Sequence, residues 1–144
     1  MNQEMTLVGI RQTLKGTINV LTKLMWLFAA GGLGALARFG LSGIVQRLCG
    51  SEFPFGTIAV NLVGCLAFGF VWTLADERLI ISGETRFIIL TGFMGAFTTF
   101  STFAFETSGL LRDAEWWSAA GNVLGHNVVG VAAVIGGMAL GKLL

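Results

Sequence analysis

Residues 92–106, GFMGAFTTFSTFAFE, decide how this chain reads. They lie largely within an uncharged run of 19 residues, 87–105, and roughly 20 largely apolar residues in a helix cross a bilayer core of about 30 Å. A helix that only faced lipid would be filled with Leu, Ile and Val. This one carries four hydroxyls (Thr98, Thr99, Ser101, Thr102) and five phenyl rings (Phe93, Phe97, Phe100, Phe103, Phe105). Such a lining suits the passage of something small, polar and dehydrated. Gly92 and Gly95 are poor helix formers, and the hydroxyls of Thr98 and Thr99 compete for backbone carbonyls, so a break is expected near residues 95–99. Irregular backbone at that depth survives only when buried in protein or lining a polar cavity. Carbonyls freed there supply the oxygen chemistry that channels use for alkali cations. Beyond the break, Phe100 and Phe103 share one stripe, with Thr99, Thr102 and Glu106 nearly opposite. A phenyl edge is positive, so rings presented edge-on stabilise an anion without a full charge that would trap it; packing between helices is the plainer use of the same stripe.

The remaining sequence places this stretch in an all-α membrane protein with four spans, at about residues 24–46, 53–75, 87–106 and 116–142. The second and fourth contain uncharged runs of 23 and 26 residues, and the first is interrupted only by Arg38. A composition 54% hydrophobic and 12% charged, with 21 glycines against one proline, is that of a multi-pass helical membrane protein. A net charge of +1 leaves no basic patch for nucleic acid. Cys49 and Cys65 have neither zinc nor redox spacing and read as small packing residues. Loops of roughly ten residues or fewer make consecutive spans antiparallel. Residues 24–144 form one channel-sized domain. Residues 1–23, with Arg11, Lys15 and Lys23 among Val8, Ile10, Leu14, Ile18 and Leu21, read as an interfacial helix or a disordered extension, without the pattern of a cleavable signal. Six Lys/Arg on the side of both termini face two on the other, which favours termini inside by so little that insertion in both orientations is permitted.

Polar residues within the spans carry the remaining information. In the first, Ala30, Gly34, Arg38 and Ser42 recur every four residues, a small-residue surface for close helix contact. Arg38 either snorkels to the interface or draws anions to a pore mouth; at mid-depth a guanidinium costs on the order of 3 kcal/mol. Asn61 in the second span is either glue between helices or an amide donor to a dehydrated anion. In the fourth, Glu115, Ser118, Asn122 and His126 follow one face. His126, the sole histidine, lacks a metal-ligating companion in the membrane and is expected to be a neutral, hydrogen-bonded ring. No paired carboxylates, Ser/His/Asp set, Walker loop or metal cluster appears, so the chain is not read as an enzyme. Four helices are too few to enclose a pore and its lining together, which points to an oligomer.

The segments GGLGALARF, FPFGTIAVNLVG and GFMGAFTTFSTFAFE, in this order and spacing, resemble the Fluc (CrcB) family of fluoride channels over residues 24–144. The resemblance implies an antiparallel, dual-topology homodimer in the cell inner membrane, with two fluoride pathways along the subunit interface and a structural sodium ion at its centre. It also implies passive fluoride export and fluoride resistance. By the same resemblance Phe100 and Phe103 match the phenylalanine box, Asn61 the pore asparagine, Glu106 the acidic end of the polar group on the third helix, and Arg38 the vestibule arginine. Gly95 and Thr98 match the positions whose backbone carbonyls hold sodium. Thr99, Thr102, Ser118, Asn122 and His126 join the expected fluoride pathway. The fourth helix departs from the pattern: Asn122 and His126 stand where many relatives carry tyrosine and serine. Two alternatives compete. A proton-coupled exchanger resembling the small multidrug resistance family needs a carboxylate deep in its first helix, where this chain has Arg38. A noncatalytic assembly protein would use Phe and Gly for packing alone.

Overall fold

The computed structural model describes the backbone of residues 2–144 and the side chains of residues 18–144. All regular structure among them is helical, in four spans long and apolar enough to cross a membrane: Ile18–Cys49, Phe55–Asp76, Gly83–Arg112 and Trp116–Lys142. The first helix is continuous from Asn2 to Cys49, about 72 Å at 1.5 Å per residue, more than twice the hydrocarbon thickness. The side chains of residues 1–17, on which an interfacial face would depend, lie outside the described residues.

The third span is broken where the sequence predicts. It begins at Gly83–Phe87, with Ser82 capping it by accepting the Thr85 N–H at 3.2 Å. It continues as a π-helical stretch, Ile88–Met94, and a last α-turn, Gly95–Phe97. Thr98 and Thr99 are then extended, with φ/ψ of −82/159 and −147/109. The helix resumes at Phe100–Arg112, and the Thr99 hydroxyl caps it by accepting the Thr102 N–H. The fourth span carries a second π-helical stretch, Gly125–Val129, between Trp116–Leu124 and Gly130–Lys142.

Close approach of backbones holds the bundle together. The second and fourth spans make the most extensive contact, through Gly69 and Gly137: a Cβ on Gly69 would overlap the Val134 carbonyl, and one on Gly137 the Leu66 carbonyl. The first helix meets the third span and the start of the second through its small-residue stripe. Val60, Leu90, Met94 and Phe97 form the buried cluster, flanked by Ala37 and Leu41. At one end, Lys142 pairs with Glu77 at 3.2 Å and Arg86 with Asp76 at 2.7 Å. These pairs join the end of the fourth span to the second-to-third connection, as antiparallel spans require. Charges recur at the other end, where Arg112 lies beside Asp113, and large apolar side chains crowd the surface; Phe28, Phe39, Leu48 and Trp117 are each at least 80% exposed. Lipid rather than water suits such a surface.

Candidate functional site

Two bonds from Asn61 define the break. The Thr99 N–H donates to Asn61 Oδ1 at 2.7 Å, and Asn61 Nδ2 donates to the Thr99 carbonyl at 3.0 Å. A side chain on the second span thus takes over both backbone groups of an extended residue on the third, which answers the requirement that buried backbone be paired. Asn61 is therefore glue, yet one amide N–H remains for a ligand, because NH₂ has two hydrogens.

The break also frees two carbonyls. In an unbroken helix the Thr99 N–H would donate to Gly95 and the Thr102 N–H to Thr98; here they go to Asn61 and to the Thr99 hydroxyl. The Gly95 and Thr98 carbonyls lose those helical donors, and a hard cation takes such oxygens. Among the described residues no group of three His, Cys, Asp or Glu side chains is placed to hold a metal, so backbone oxygen is the available ligand. Backbone oxygen is the ligand type an alkali cation takes.

A cavity of about 340 Å³ adjoins the break, lined by Asn61, Gly95, Thr98, Thr99 and the rings of Phe100, Phe103 and His126. Thr99 also lines a second cavity of about 430 Å³, shared with Arg38, Ser101 and Thr102. Thr57 and Thr102 connect that one to a third, about 600 Å³, which holds Glu106 and reaches Glu52 and Asp113 in the loops. Hydroxyls thus lie at each junction between loop and centre. Arg38 is half-buried in the middle cavity and makes no ion pair among the described residues.

Phe100 and Phe103 pack with ring centroids 5.4 Å apart at 58°, a geometry that leaves edges directed away from the contact. They differ sharply in exposure, at 79% and 8%. Phe103 also meets the His126 ring at 4.3 Å. His126 Nδ1 lies 3.0 Å from the Asn122 carbonyl; a carbonyl only accepts, so Nδ1 carries a hydrogen. Nε2 is buried without a partner among the described residues.

Of the expected pathway residues, Asn61, Thr99, Phe100, Phe103 and His126 line the central cavity. Arg38 and Thr102 line the middle one, and Glu106 the outer one. Asn122 is fully buried behind them, donating to Thr107 Oγ1 at 2.9 Å. Ser118 lies outside all three cavities. Two residues escaped the sequence reading. Thr57 donates to Glu106 Oε1 at 2.7 Å, and its position four residues before Asn61 was the available signal. Thr107 accepts from Asn122 and donates to the Phe103 carbonyl at 2.8 Å; nothing in its spacing singles it out.

Residues 25–138 match the family model described as CrcB-like protein, Camphor Resistance (CrcB). A protein of Nitrosococcus oceani named fluoride-specific ion channel FluC is 56% identical over 122 residues, which cover 85% of this chain and 98% of that one. Proteins of the same name from Desulforapulum autotrophicum and Maridesulfovibrio salexigens are 49% and 47% identical, covering 85% of this chain and 98% and 97% of theirs. The chain belongs to the CrcB-like family.

Proposed function

We propose that this member of the CrcB-like family is a passive, fluoride-selective channel that exports cytoplasmic fluoride across the cell inner membrane and so confers fluoride resistance. The observation that carries the proposal is the extended Thr98–Thr99 backbone, stapled by Asn61 beside the tilted pair Phe100 and Phe103. Fluoride passes Arg38, which contributes positive charge in the middle cavity, and exchanges its water for hydroxyls, the remaining Asn61 N–H and phenyl edges. None of these is a fixed charge in the central cavity, so the ion is stabilised without being trapped. A small, strongly hydrated anion profits from several short donors at once, whereas a larger halide outgrows the same set.

The working unit in this proposal is an antiparallel homodimer. Phe100 is exposed and faces a cavity that one chain leaves open on one side; a second copy would cover both and complete the lining. On the two-fold axis the Gly95 and Thr98 carbonyls of both copies would hold one structural sodium ion, tying the broken helices together. A proton-coupled exchanger gains no support: the first span carries no carboxylate within the membrane, and the half-buried carboxylate of the third, Glu106, is bonded to Thr57.

The test is fluoride efflux from liposomes containing the purified protein, followed by a fluoride electrode, with chloride efflux measured in parallel. Fast fluoride efflux with chloride at the protein-free background is expected. Equal fluxes of the two ions would sink the proposal.

A further inference from the structure

A cleft at the end of the third span opposite Glu106 has its own chemistry. At the end of the molecule that carries the two ion pairs, the first, second and third spans enclose about 460 Å³ between Lys23, Arg86, Trp72, Phe68, Phe87 and Leu90. Its two ends differ. Lys23 and Arg86 stand near the level of Asp76 and Lys142, where the second span ends and the third begins, at one end of the apolar spans. Phe68 and Leu90 lie one or two turns deeper, and Phe68 stacks on Trp72 with centroids 6.4 Å apart and planes 9° from parallel.

The charges in the cleft do not balance. Arg86 is satisfied: it bonds Asp76 at 2.7 Å and lies 4.8 Å over the Trp72 ring. Lys23 is half-buried, sits 4.4 Å over the Phe87 ring, and makes no salt bridge or hydrogen bond among the described residues. Together Lys23, Arg86 and Asp76 leave one uncompensated positive charge beside an apolar floor. A ring face offsets part of the desolvation of an ammonium but supplies no anion.

We propose that this cleft is a binding site for an anionic phospholipid of the membrane, with the headgroup phosphate on Lys23 and the outer edge of Arg86 and an acyl chain against Phe68, Trp72 and Leu90. The cation sits at the end of the apolar spans, where phosphates lie, and the rings run from it toward the hydrocarbon. Basic pockets between spans at this depth take lipid phosphates, with about 1 kcal/mol per Lys or Arg near the surface. A soluble anion would use the cation and leave the aromatic floor idle. Bound there, the lipid would wedge the first span against the second and third at the end of the bundle opposite Arg38 and Glu106. Phe68 and Leu90 also line the central cavity, so the test reads lipid binding directly and does not depend on transport.

The full-length protein, purified in a mild detergent, is titrated with phosphatidylglycerol and, separately, with phosphatidylcholine of the same chains, and bound lipid is counted by native mass spectrometry. Phosphatidylglycerol is expected to bind in preference and to raise the thermal midpoint. Lys23→Gln should weaken its binding about fivefold. Lys142→Gln, which removes an exposed cation at the same end but outside the cleft, should leave binding unchanged. Equal retention of the two lipids, an undiminished preference in Lys23→Gln, or an equal loss in Lys142→Gln would overturn the proposal. So would a photoreactive side chain at Thr91, on the wall of the cleft, that crosslinks to a second copy of the chain instead of to lipid.

Discussion

Replacing Asn61 by Ala removes both bonds that hold Thr99, at 2.7 and 3.0 Å. Each leaves a backbone group without its partner in a site that is nearly dry, for Thr99 is only 9% exposed. An orphaned buried donor or acceptor costs about 1–3 kcal/mol, so the extended conformation loses roughly 2–6 kcal/mol. The competing conformation is close at hand, because the Thr99 N–H can turn back to the Gly95 carbonyl and let the helix run on. At about 1.4 kcal/mol per factor of ten, even the low end of that range shifts the balance toward the closed helix by about 30-fold. Liposome efflux should therefore fall by at least an order of magnitude in Asn61→Ala, and the thermal midpoint of the protein should drop. Asn61→Asp separates the two bonds: it retains an acceptor for the Thr99 N–H and loses the donor to the Thr99 carbonyl, so it should lie between wild type and Ala in stability. If Asn61→Ala keeps wild-type efflux and an unchanged midpoint, Asn61 does not hold the break open and the reasoning fails.

Phe100→Ile and Phe103→Ile should both cut fluoride efflux sharply by removing a positive ring edge; because Phe103 is buried within one chain, Phe103→Ile should also cost stability, by about 1–3 kcal/mol on the scale of core reshaping. Gly137→Val should abolish the folded protein in detergent, since its Cβ would overlap the Leu66 carbonyl, whereas Gly121→Ala, which meets nothing within 4 Å, should behave as wild type in size-exclusion chromatography. Prolonged depletion of sodium should reduce fluoride efflux while sodium itself does not cross; efflux indifferent to thorough depletion would remove the cation from the account of Gly95 and Thr98. Because His126 is the only histidine, ¹⁵N-histidine labelling reports it alone, and the neutral ring should show the hydrogen on Nδ1; an Nε2–H tautomer would contradict its bond to the Asn122 carbonyl.

What the sequence made legible follows from the range of the interactions involved. Span number and approximate position depend on runs of apolar residues, and each run sits within one element, so composition suffices. The stripe of Phe100 and Phe103 is local too, three residues apart on one helix, and the structure puts the rings in contact. The two π-helical stretches, Ile88–Met94 and Gly125–Val129, have no such signature. They add a residue to a turn to suit packing partners, and neither Ile88 nor Gly125 announces this in its own propensity. The pair Thr57–Glu106 joins residues 49 apart, and Asn122–Thr107 depends on the register of two antiparallel spans; spacing within one helix cannot supply either.

The break shows where local reasoning ends. Gly92 and Gly95 weaken the helix, yet both remain helical, and the chain opens at Thr98 and Thr99 instead. Glycine lowers the cost of leaving a helix but offers no reward for doing so. The reward is the Asn61 amide, 38 residues away, brought into reach because Gly64, one turn further along the same span, has no Cβ to collide with the Thr98 methyl group. Weak helix formers thus define a window of several residues, and the partner across the helix contact selects the position within it. The same amide takes the donor of the Gly95 carbonyl, and the hydroxyl of Thr99, which it holds extended, takes that of Thr98, so the opening of the helix and the proposed cation site have one cause.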